Sequence, residues 1–146
     1  MSKVSLLNQY VADLHVFNVK LHQLHWNVIG LQFVTIHKYT EEVYEEVFEK
    51  FDEAAEALKI QGEAPLGKVS DYLKISQIEE LDTANYSVDF VVKELKKDLT
   101  YLKDLLSKIR TSASETDDFE VANMAEDHIS YFNKQIWFLT AMTTSL

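Results

Sequence analysis

The amino-acid sequence predicts an all-α fold: a four-helix bundle built from two helical hairpins, joined by one long crossover that carries a short helix. Three observations predict it. Three glycines and one proline in 146 residues leave long stretches without a helix breaker. Apolar residues recur at three- and four-residue steps through four segments. The proline and two of the glycines fall together, between Gly62 and Leu81.

The first helix is expected from about Ser5 to Val28. Leu7, Val11, Leu14, Phe17, Leu21, Leu24 and Val28 form its buried stripe, and Gly30 ends it. The turn Gly30-Leu31-Gln32 leads into a second helix, from Phe33 to about Ile60, which ends near Gly62. A turn this short makes the two helices antiparallel neighbours. The stretch from Gly62 to Leu81 is too long for a tight hairpin and long enough to cross the bundle. Val69, Tyr72, Leu73, Ile75 and Ile78 predict that it is packed, with a short helix around Val69 to Lys74. The third helix is expected from about Thr83 to Arg110, on Val88, Val91, Leu95, Leu99, Leu102, Leu106 and Ile109. Thr111 to Thr116 reads as a polar turn, with Ser114 and Asp117 placed for a capping box. The last helix runs to about Met142 on Val121, Ala125, His128, Phe132, Ile136, Leu139 and Met142. His128 lies inside this stripe and reads as a hydrogen-bonded core histidine. Short, long and short connections are those of a ferritin-like four-helix bundle, here a single domain over residues 1–146.

Charge and composition narrow the function. Lys plus Arg is 14 and Asp plus Glu is 24, a net charge of −10. That balance opposes contact with nucleic acid or anionic membrane and suits attraction of cations. The absence of cysteine excludes disulfides, thiolate metal sites and cysteine nucleophiles. Met1-Ser2-Lys3-Val4 is no signal peptide and no apolar run reaches membrane length, so the expected compartment is cytoplasmic.

The second helix carries the candidate chemistry. His37, Glu41, Asp52 and Glu56 share one face, because their spacing places them within an arc of roughly 100°. Imidazole and carboxylate are the ligands that suit iron. A long amphipathic helix with a solvated acidic face would also align some of its many acids. His37 and Asp52 stand roughly 22 Å apart along the axis, so one metal in one chain cannot touch both. The pairs His37 with Glu56 and Glu41 with Asp52, however, are centred on the same midpoint, between Glu46 and Val47. An antiparallel copy about a two-fold axis brings His37 towards Glu56 of the other chain, and Glu41 towards Asp52, with Tyr44 and Phe48 as the apolar centre of the contact. That arrangement holds two metal sites per dimer, each built from two chains. The common intrabundle di-iron site uses Glu-x-x-His motifs. The residues three before His15, His22, His25, His37 and His128 are Ala12, Val19, His22, Val34 and Ala125, so that site is not expected.

Several motifs now combine: Leu21-His22-x-x-His25-Trp26-x-Val28-x-Gly30, Ile36-His37-x-x-x-Glu41, Asp52-x-x-Ala55-Glu56 with Gly62-x-x-Pro65, and Trp137-Phe138-Leu139. In these the chain resembles, over essentially its whole length, the Dps family of mini-ferritins, the DNA-binding proteins from starved cells. The resemblance implies a hollow homo-dodecamer built from two-fold dimers, with a ferroxidase centre at the dimer interface. Carried over by position, the iron ligands are His25, His37 and Glu41 of one chain and Asp52 and Glu56 of the other, with His25, His37, Asp52 and Glu56 as the catalytic set. Glu41 stands where the family often has aspartate. Ala57 stands where an arginine is usual, which bears on an ion pair at the interface rather than on the ligands.

The implied function is oxidation of Fe(II) by hydrogen peroxide, or more slowly by dioxygen, with storage of Fe(III) mineral in the cage and protection against oxidative stress. Asp117, Asp118, Glu120, Glu126 and Asp127 are candidates for an iron pore or inner wall, and equally for a solvated helix start favoured by the macrodipole. Trp26 is a candidate quencher of oxidising equivalents or a packed interfacial aromatic. The competing reading is a DNA-condensing protein. Against it, Lys3 is the only basic residue before the first helix, Thr143-Thr144-Ser145-Leu146 has none, and −10 per chain repels phosphate. An iron-free structural cage is disfavoured because every ligand position is present.

Overall fold

A computed structural model describes residues 1–145. Leu146, the last residue of the tail noted above, lies outside them. Five helices follow in order: α1 (Lys3–Asn27), α2 (Phe33–Ile60), α3 (Val69–Ile75), α4 (Val88–Glu115) and α5 (Phe119–Thr143). α1 packs along α2 and α4 along α5, and α1 joins the two hairpins by resting on α4 and α3. This is the ferritin-like bundle with a helix in its crossover. No described helix is long and apolar enough to cross a membrane.

The predicted stripes are the core. Leu7, Val11, Leu14, Phe17, Leu21, Leu24, Leu95, Leu99, Leu102, Leu106, Ile109, Val121, Ala125, Phe132 and Leu139 are fully buried. Met142 is a correction: it is 45% exposed, next to the last residue of α5. In the crossover Tyr72 and Ile78 are buried, whereas Val69 and Leu73 face outward.

Three helix ends differ from the expectation, two of them for a tertiary reason. α1 stops at Asn27 because Val28 and Ile29 are extended and pair in parallel with Tyr86 and Ser87. The same pairing holds residues 83–87 out of α4, and the Ser87 hydroxyl accepts from Phe90 N–H at 3.1 Å, capping the helix at Val88. α4 then continues through the expected polar turn to Glu115. Asp117 is not part of a capping box: it takes a left-handed φ of 54°, and Asp118 N–H reaches back to the Ala113 carbonyl at 2.9 Å. This is a Schellman ending with aspartate where glycine is usual, a conformation aspartate tolerates. α2 ends in the same motif at Gly62, φ 78°.

Two buried polar clusters tie the hairpins together. The Asp13 carboxylate accepts from Ser76 Oγ, Gln77 N–H and Tyr101 Oη at 2.9, 2.7 and 2.6 Å, pinning the end of the crossover to α1 and α4. Lys20 Nζ lies 2.7 Å from both Glu94 and Asp98 between α1 and α4.

Asp118 is the third anchor. It caps α5 through Val121 N–H at 3.2 Å, pairs with Lys3 at 2.6 Å and accepts from the Gln61 amide. Burial pushes its carboxyl up, and these donors more than offset that, so it lies below its ordinary value of 3.8. A depressed folded value adds stability above the unfolded value, and that stability is lost as pH falls through the folded one. Asp118→Ala is expected to cost about 1–2 kcal/mol at neutral pH, measured by urea unfolding. The difference from wild type should shrink steadily below pH 3.8.

Candidate metal centre

His25 and His37 are brought together by the α1–α2 hairpin. Their rings stack at 3.7 Å between centroids and 15° between planes. Each uses Nδ1 on the other's backbone: His25 Nδ1 lies 2.6 Å from the His37 carbonyl and His37 Nδ1 2.9 Å from the His25 carbonyl. A carbonyl only accepts, so both Nδ1 atoms carry the proton and both Nε2 atoms keep a lone pair. That is the tautomer a metal ligand needs, fixed by outer hydrogen bonds. Thr40 Oγ1, 3.1 Å from His25 Nδ1, adds a second acceptor. His25 is buried and its pKa is lowered by burial, which keeps it neutral and available to a cation.

Glu41 follows one turn after His37 and is exposed. The Tyr44 hydroxyl donates to its carboxylate at 3.3 Å. Tyr44 in turn stacks on His22 at 3.8 Å, and His22 Nδ1 donates to the Asn18 carbonyl at 2.8 Å. Asp52 and Glu56 are exposed near the far end of α2. Hydrogen bonding to Asp52, and then its charge, hold the Glu56 carboxyl above its ordinary value. A bound cation would relieve the repulsion between the two carboxylates.

The structure thus places two candidate half-sites in one chain and does not bring them together. Among the described residues, no three of His, Asp and Glu gather to hold a metal. Between the halves Phe48 is 62% exposed, with its ring 6.5 Å from Phe51. Tyr44, by contrast, is partly covered by His22 within the chain. Trp26 is 64% exposed beside His22. The donor set of two imidazole lone pairs and three carboxylates fits iron.

The acids at the start of α5 separate into two kinds. Asp118 is spent on capping and on Lys3, and Glu126 pairs with Arg110 at 3.0 Å. Asp117, Glu120 and Asp127 remain exposed. Thr40 and Asn18 support these residues without any mark in the sequence, and Tyr44, expected at the centre of the contact, instead meets Glu41 and His22 within the chain. A threonine or asparagine inside a helix carries no sign of which imidazole or carbonyl it will meet.

A ferritin-like domain model matches residues 4–146. The chain is 30% identical over 141 residues to the DNA protection during starvation protein of Helicobacter pylori, covering 97% of this chain and 98% of that one. Among solved structures, a Dps protein from Bacillus brevis superposes with a TM-score of 0.93 at 32% identity, covering 97% and 95% of the two chains. The Dps protein of Vibrio cholerae, described as a member of the ferritin-like diiron-carboxylate superfamily, superposes with a TM-score of 0.93 at 29% identity, covering 97% and 89%. With this fold, these half-sites and these relatives, the chain belongs to the Dps family of ferritin-like proteins.

Proposed function

We propose that the protein is a ferroxidase and iron-storage mini-ferritin, a cytoplasmic dodecamer of two-fold dimers that protects against oxidative stress. The observation that carries this is the reciprocal Nδ1 pairing of His25 and His37, which leaves both Nε2 lone pairs free for a cation. Fe(II), the substrate, binds to His25, His37 and Glu41 of one chain and to Asp52 and Glu56 of the partner subunit. The chain's part is to orient these ligands, hold the imidazoles neutral and present the Asp52 and Glu56 carboxylates to the cation. Two Fe(II) and one hydrogen peroxide, with two protons, give two Fe(III) and two waters, so no radical need escape. Fe(III) prefers oxygen ligands and passes to the acidic face for storage.

Direct DNA binding is not part of this reading. Lys3, which opens α1, is already held by Asp118 at 2.6 Å. Removal of ferrous iron and peroxide protects DNA without touching it.

Co-assembly of His37→Ala chains with Asp52→Ala chains tests the shared site. Each variant alone lacks one ligand in every site. In a mixed dimer one site carries both defects and the other carries none, so random mixing should restore about a quarter of the sites. Fe(II) oxidation should return in the mixture in that proportion. No recovery in proven mixed dimers would overturn the two-chain site.

A further inference from the structure

Tyr10, His128 and Glu53 form a hydrogen-bonded line that the ligand set above does not use. Tyr10 is fully buried on α1, and its hydroxyl lies 2.9 Å from His128 Nδ1 on α5. His128 is 2% exposed, and its Nε2 bonds the carboxylate of Glu53 on α2, which opens to solvent. The direction of each bond follows from its partners. An ionised carboxylate only accepts, so Nε2 carries the proton, Nδ1 keeps its lone pair and Tyr10 donates. Burial lowers the pKa of His128 and raises that of Tyr10 well above its ordinary range. The phenol therefore cannot ionise alone. It can lose its proton only together with an electron, and a neutral base stands ready to take that proton. The line ends beside the iron half-site, because Glu53 follows Asp52 and precedes Glu56 by three residues on α2.

We propose that Tyr10 is a proton-coupled electron donor to oxidant formed at the iron site, with His128 as the proton acceptor and Glu53 as the group that orients it. The inference rests on the ferroxidase reading above and supplies what happens when only one iron is bound. One Fe(II) and hydrogen peroxide give Fe(III), hydroxide and a hydroxyl radical. Tyr10 gives one electron to the radical, which takes a proton from solvent and becomes water. The phenolic proton crosses to His128 Nδ1, leaving a neutral tyrosyl radical and an imidazolium paired with Glu53. A second Fe(II) returns the electron, and the proton moves back to the phenol. Hydroxide takes a proton from solvent. The sum is two Fe(II), one peroxide and two protons giving two Fe(III) and two waters.

The test is freeze-quench electron paramagnetic resonance of the assembled protein, loaded with one Fe(II) per site and mixed with equimolar hydrogen peroxide. A tyrosyl signal is expected, identified by ring-deuterated tyrosine, and it should be lost in Tyr10→Phe. In His128→Gln, which offers no base, the yield should fall and the exchangeable-deuteron coupling of the bond to imidazolium should vanish. A purely structural histidine would not change that coupling. An unchanged signal in Tyr10→Phe, with iron oxidation intact, overturns the inference and leaves the ferroxidase reading standing. Should wild type oxidise no iron, that reading fails instead. A photogenerated one-electron oxidant in iron-free protein then decides: a tyrosyl signal absent from Tyr10→Phe supports the donor, and an equal signal in both overturns it.

Discussion

Asp52→Ala is expected to lower Fe(II) oxidation by stoichiometric hydrogen peroxide by at least about 100-fold, since losing even an outer partner of a metal ligand costs about 10–100-fold. Asp52 is an exposed residue on α2, so its removal should leave folding within about 0.5 kcal/mol of wild type. What is lost is one of the two carboxylates in the far half-site and, with it, a negative charge facing the cation. Asp52→Asn separates these causes: it keeps size and shape and removes the charge, and it should fall nearly as far. Stopped-flow absorbance of the ferric product at fixed protein concentration measures both. Wild-type rates in either variant would remove Asp52 from the ligand set.

Lys20→Ala should cost about 3–5 kcal/mol of unfolding free energy. The lysine side chain is 1% exposed and its Nζ sits 2.7 Å from Glu94 and from Asp98. Burial already holds the Asp98 carboxyl above its ordinary value, and Lys20 is the charge that offsets this. Without it Asp98 is an unpaired buried anion. Glu94 fares better, because Lys97 remains 2.8 Å away. The double change Lys20→Met with Asp98→Leu removes both buried charges together and should recover most of the loss. Urea midpoints at one protein concentration compare the three chains, since assembly shifts apparent stability by mass action. A double variant as unstable as Lys20→Ala would show that shape, not charge, is the cause.

How far each of these features could be read in advance depended on its range along the chain. The helical stripes were legible because burial repeats with the helix turn, and fully buried Leu99, Phe17 and Phe132 all lie on them. The polar face of α2 was legible for the same reason. Helix ends were less so. Nothing local in Val28 says that it will pair with Tyr86 far down the chain, and that pairing ends α1 and delays α4. Ser114 and Asp117 matched a capping box locally, yet the backbone chose a left-handed Asp117 and moved the cap to Asp118. Both choices satisfy the same orphan amides, so local pattern could not separate them.

Periodicity and charge alone established four long amphipathic helices, an acidic surface and a face of imidazole and carboxylate whose spacing is self-complementary, because these are properties of residue spacing on a regular helix. Tertiary packing decided the rest. It set the tautomers of His25 and His37 through carbonyls twelve residues apart, and it joined Tyr10 to His128 across 118 residues. Proton positions and buried partners depend on which backbone atoms meet once the hairpins close, and no repeat in a linear chain encodes that meeting.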